Sequence, residues 1–141
     1  MRTAYLVLGA VLLVTAAAAW VLWVITPLIH DGSDSYPYWE VLNYFMAFSV
    51  LVALLVNAAG KRAYDRANSA DGPITRRWLT VNVLFFASLV LAAWFYWNWF
   101  FYFFPESEPG AADIHLEMWT LINPLFYLTC GVTGFRMLRR A

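Results

Sequence analysis

Between Trp78 and Phe104 the chain carries no charged side chain, a run of roughly 27 residues where about 20 suffice to cross a hydrocarbon core of roughly 30 Å. Such a segment is a membrane helix with length to spare. The surplus lies at its far end, where Ala93 to Phe104 reads AWFYWNWFFYFF and is aromatic everywhere except Ala93 and Asn98, before Pro105 stops it. Trp94, Trp97, Trp99, Tyr96 and Tyr102 can set ring bodies against acyl chains and their N–H or O–H groups among headgroups, which makes this end an interfacial aromatic belt. One or two such rings per helix end are enough for anchoring. Here rings point in every direction, Phe95, Phe100, Phe101, Phe103 and Phe104 included, so some must meet something other than headgroups. Anchoring with ordinary packing is the plainest reading. A surface for a partner protein comes next, and a cleft for a quinone, pigment or lipid lined by Trp94, Trp97, Asn98 and Trp99 comes third.

The whole chain shares this character: 62% of its residues are hydrophobic and 13% charged, against about a quarter charged in soluble domains. It reads as a single membrane domain over residues 1–141. A formal net charge of zero gives no electrostatic footprint for a nucleic-acid partner. Cys130 is the one cysteine and falls inside an apolar segment, so neither an internal disulfide nor a cysteine metal knuckle is available.

Four helices are expected, at about 4–29, 38–59, 78–104 and 116–138. The first begins like a signal peptide, with Ala16 to Ala19 imitating a cleavage site, but the apolar run continues to Ile29 and reads as a retained span. The polar turn from His30 to Pro37 offers Asp34 or Ser35 as a cap, with Pro37 in the first turn of the second helix. Gly60 is expected to end that helix, and a basic loop from Lys61 to Arg77 follows. An acidic turn from Pro105 to Glu117 leads into the fourth helix, with Asp113 as its cap and a kink expected at Asn123-Pro124. Thr129/Thr133 and Cys130/Gly134 have small-xxx-small spacing and predict a close helix contact.

Laid out in this way, all nine basic residues fall at one end together with only Asp65 and Asp71, while Asp31, Asp34, Glu40, Glu106, Glu108, Asp113 and Glu117 fall at the other. The positive-inside rule then predicts that both termini are cytoplasmic in a multi-pass inner-membrane protein. No ionisable side chain lies deep in a span, which argues against a pump, an ion-coupled transporter or a voltage sensor. Haem b between helices needs histidines within the bilayer, and His30 and His115 lie at the acidic rim instead.

That rim holds the remaining candidates for chemistry. His30, Asp31 and Asp34 in one turn, and Asp113, His115 and Glu117 in the other, combine imidazole and carboxylate as a first-row divalent metal requires. Solvation of a charged rim, helix capping by Asp113 and Glu117, and a pH-responsive docking surface account for the same residues without a metal. The expected molecule is therefore an all-α integral membrane protein, an antiparallel four-transmembrane-helix bundle in contact with the lipid bilayer and with other membrane subunits or copies of itself. The function expected is that of a non-catalytic subunit or assembly factor of a larger, respiratory or redox, membrane complex. The alternative is a membrane enzyme or enzyme subunit with a divalent metal or quinone at its outer face.

Overall fold

The structure is a computed structural model that describes residues 2–30, 36–68, 72–101, 103 and 111–141, with the side chains of residues 111–113 outside the description. The described residues form four helices and no strand: α1 (Arg2–Ile29), α2 (Pro37–Ala67), α3 (Arg76–Phe101) and α4 (Ala111–Leu138). At 1.5 Å per residue, the 28, 31 and 26 residues of α1, α2 and α3 extend about 42, 46 and 39 Å. All three are long and apolar enough to cross a membrane. The fourth is as long, at 28 residues, but its Glu117, Asn123, Pro124, Thr129 and Thr133 dilute its apolar character, and it does not join the other three by that measure. Those polar residues are not scattered: Asn123, Thr129 and Thr133 are all buried.

Each helix packs against its neighbours in chain order, α4 closes back onto α1, and α2 meets α4 across the middle, leaving α1 and α3 apart at opposite corners. Neighbours run antiparallel. Trp39 Nε1 donates to Thr26 Oγ1 at 3.0 Å between α2 and α1, and Tyr96 Oη donates to the Ala47 carbonyl at 2.8 Å between α3 and α2. Across the diagonal, Asn57 Nδ2 donates to Thr133 Oγ1 at 2.9 Å. The shared core runs through Leu12, Met46, Val50, Leu91, Phe95, Ile122, Phe126 and Cys130.

The tightest contact is between α1 and α4. A β-carbon on Gly134 would lie 2.8 Å from the Gly9 carbonyl oxygen and 2.9 Å from Leu12 Cβ, and one on Gly9 would lie 3.0 Å from the Gly134 carbonyl oxygen. Two backbones touch here because neither residue has a side chain, the close approach from which helices in lipid draw van der Waals attraction. The expected small-residue contact of α4 is thus present, with Gly9 as its partner. Gly131, one turn away, has open space where its β-carbon would be.

Several boundaries differ from expectation. Helix α2 does not stop at Gly60 but continues to Ala67, where Asn68 turns extended. A glycine in a helix costs about 1 kcal/mol relative to alanine, and here Tyr64 is buried against Thr75 and Arg77 at the start of α3 and Lys61 pairs with Asp65 one turn on, so the helix continues. The residue capping α2 is Tyr36, which makes no side-chain cap bond, with Pro37 in the first turn as expected; Asp34 and Ser35 lie outside the described residues. Thr75 caps α3, its Oγ1 accepting from the Trp78 N–H at 3.0 Å. Asp113 falls within the first turn of α4, which begins at Ala111. Pro124 is accommodated inside α4, and the helix runs on through it.

Candidate functional site at the aromatic end

The end of the bundle formed by the start of α2, the end of α3 and the start of α4 gathers most of the ring contacts. Trp99 is the centre on the α2 side: Tyr44 and Phe103 meet it edge-on at 5.3 and 5.4 Å between centroids, Phe95 lies tilted to it at 5.9 Å, and Phe100 stacks beside it at 5.7 Å. Edge-on and tilted pairs at these spacings place positive ring edges on negative faces and lock the rings mutually. Phe95 is fully buried and carries the cluster inward to Trp119 of α4. The outer members, Tyr44, Phe100 and Phe103, remain more than half exposed around this centre.

On the α4 side the centre is His115. It is 6% exposed, stacked on Phe101 at 3.6 Å between ring centroids with planes 9° apart, and flanked by Trp97 at 4.6 Å. Asn98 is fully buried beside it and binds it twice: its Nδ2 donates to the His115 carbonyl at 3.0 Å, and its Oδ1 lies 2.6 Å from His115 Nδ1. Because the first bond uses the amide nitrogen, the amide oxygen faces the ring and must accept. His115 therefore carries its proton on Nδ1, and Nε2 is the ring nitrogen with the free lone pair. A buried histidine and a buried asparagine satisfy each other across two helices, inside a sleeve of aromatic rings.

His115 thus sits within the bundle rather than on a solvated rim. His30 ends α1 with its N–H bonded to the Thr26 carbonyl and its ring stacked on Tyr36 at 4.2 Å. Glu117 is exposed on α4. Asp31 and Asp34 lie outside the described residues, as does the side chain of Asp113, and among the described residues no three of His, Cys, Asp and Glu come together as a ligand set.

The four residues expected to line a cleft point to three places. Asn98 and Trp97 belong to the His115 sleeve, Trp99 to the ring cluster against α2, and Trp94 to an open apolar groove of about 800 Å³ between α3 and α4. Trp97 and Trp99 diverge because two residues turn a helix by about 200°; Trp99 packs within its own bundle while Trp97 is 56% exposed. The Asn98–His115 pair was not legible from sequence. Its one signal is an asparagine in an otherwise apolar helix end, which in lipid requires a partner. Comparison of the chain with protein-family models, curated protein sequences and solved structures gave no match.

Proposed function

We propose that the chain is a small, non-catalytic subunit or assembly factor of a larger inner-membrane complex of respiratory or redox type, crossing the bilayer four times with both termini in the cytoplasm. In this reading α4 spans as well, with Asn123, Thr129 and Thr133 turned toward the bundle and Leu121, Leu128, Val132 and Phe135 toward lipid. The observation that carries the partner role is the ring cluster around Trp99, whose outer members Tyr44, Phe100 and Phe103 project from a packed base. Interface cores are enriched in such pre-ordered aromatics, because a locked ring loses little conformational freedom on binding. Purification in mild detergent with identification of companions by mass spectrometry tests this. A companion should be present, and Phe100→Ala with Phe103→Ala should release it while thermal stability stays near that of the parent. Purification of the parent as a lone, monodisperse chain contradicts it.

One observation favours a second reading, a metal or quinone site at the same face. Metal-binding histidines commonly donate their second ring N–H to a fixed acceptor, and Asn98 Oδ1 is placed as that acceptor for His115. Nε2 would then be one ligand atom, with His30, Asp31, Asp34, Asp113 and Glu117 as the candidates to complete the set. Metal analysis of the purified protein separates the readings: stoichiometric metal lost in both His30→Ala and His115→Ala supports the site, and metal content unaffected by either removes it.

A further inference from the structure

The groove between α3 and α4 faces away from the ring cluster and runs along α3 from Trp78 to Trp94, with Leu121 and Leu125 of α4 on its other bank. Sixteen residues of helix make it about 24 Å long, more than the half of a roughly 30 Å core that one leaflet fills. Its lining is apolar almost throughout, Asn82 being the exception, and the Asn82 amide is turned back to donate to the Trp78 carbonyl at 2.9 Å.

The end of the groove at Trp78 is cationic. Arg136 follows Leu125 by eleven residues, three turns plus about 20°, so it continues the bank that Leu121 and Leu125 form. Arg76 precedes Val83, another lining residue, by seven, and so lies on the same face of α3 to within about 20°. The charges of Arg77 and Arg140 both bear on Arg136, which places two further guanidinium groups within electrostatic reach of it. Among the described residues, none of Arg76, Arg77, Arg136 and Arg140 is in an ion pair; the carboxylate paired at this end, Asp65, is taken by Lys61 at 2.6 Å. Mutually repelling cations at the mouth of a hydrocarbon channel are complementary to a molecule with a phosphate at one end and an alkyl chain at the other. Arginine suits the phosphate through its paired donors, and basic pockets between membrane helices are known headgroup sites.

We propose that the α3–α4 groove holds one anionic phospholipid, its phosphate on Arg76 and Arg136 and an acyl chain laid along α3 between Trp78 and Trp94. Arg77 and Arg140 add field to the headgroup site. This rests on membrane embedding and is independent of any partner at the aromatic end.

The test uses full-length protein in a neutral detergent, stripped of lipid and titrated with phosphatidylglycerol or with phosphatidylcholine of the same chains, read by native mass spectrometry and by thermal unfolding. The parent should retain one phosphatidylglycerol roughly twenty-five-fold more tightly than phosphatidylcholine, at about one factor of five for each of the two guanidiniums. Inorganic phosphate should bind negligibly, because the chain is part of the fit. Arg76→Gln with Arg136→Gln should abolish the preference, and the two lysine replacements should keep most of it. Ala87→Trp, which fills the groove midway, should lose retention of the lipid with all arginines intact, whereas Arg62→Gln with Arg66→Gln, on α2 and away from the groove, should change nothing. Equal retention of the two lipids by the parent overturns the proposal, as does a preference that survives the double glutamine variant. Cross-linking of two chains through Ala87→Cys in the native membrane would give the groove to a second copy and equally overturn it.

Discussion

Helix α4 meets α1 and α3 in opposite ways. Against α1 it presents Gly134, and the two backbones touch at Gly9 with no room for a methyl group. Against α3 it stands off far enough to leave the long groove, and is tied at one end by the Asn98–His115 pair and the rings around it. The contrast reflects the lack of a hydrophobic drive between helices surrounded by lipid. Helices there associate either by bringing backbones close or by satisfying polar groups against each other. One helix uses each solution on a different face: the first is intolerant of added volume, the second of lost hydrogen bonds.

The largest effect expected from breaking this contrast is at Gly134. Gly134→Leu must separate α1 from α4, and overpacking against backbone costs about 1–3 kcal/mol or more, so loss of folded protein in a detergent thermal melt is expected. Gly131→Ala, one turn away in open space, should be neutral or raise stability by up to about 1 kcal/mol, the ordinary helix gain over glycine. Equal behaviour at the two positions would remove the α1–α4 seam.

Next comes the polar tie. Asn98→Leu strands the buried His115 Nδ1–H and should cost about 1–3 kcal/mol. His115→Phe should cost a similar amount by stranding the asparagine. The double variant should cost clearly less than the sum, since replacing both partners by apolar groups leaves no unpaired polar atom. Additive losses would show that the pair acts through packing alone. In the parent, nitrogen NMR should find the neutral Nδ1–H tautomer of His115, whereas an Nε2–H ring would contradict the bond to Asn98 Oδ1.

Smaller effects belong to contacts outside both faces. Asn57→Leu removes the diagonal bond to Thr133 and should cost about 0.6 kcal/mol, the average for hydrogen bonds between membrane helices. Lys61→Ala breaks an exposed pair with Asp65 one turn away and should cost no more than about 0.5 kcal/mol. A large loss at Lys61 would mean that the extension of α2 beyond Gly60 carries part of the fold.

The sequence carried the features that depend on composition and spacing. Unbroken apolar runs revealed three membrane-length helices, and Cys130/Gly134 spacing revealed which part of α4 approaches a neighbour. Gly9 carries no such signal, because α1 is apolar all round and a lone glycine among Leu, Val and Ala does not show which face it serves. Gly60 reads as a stop because its punctuation value is local, whereas the contacts of the extension, Tyr64 with Thr75 and Arg77, form only once the loop brings α3 alongside. Carboxylates surround His115 in sequence and point to a rim position. Only the meeting of α3 with α4 turns it inward to Asn98, and that pairing is a property of register that no single helix contains.

The transmembrane course of α4 decides between a three-span and a four-span molecule, and it is accessible to thiol labelling. Cys130 is buried and should give little background. Single cysteines at Ser69, Ser107 and Ala141, labelled in intact cells with a membrane-impermeant reagent, report the α2–α3 connection, the α3–α4 connection and the C-terminus in turn. A four-span bundle with its basic end in the cytoplasm predicts labelling at Ser107 alone. Labelling at Ser107 and Ala141 together would mean that α4 does not cross, and labelling at Ser69 with protection at Ser107 would invert the molecule.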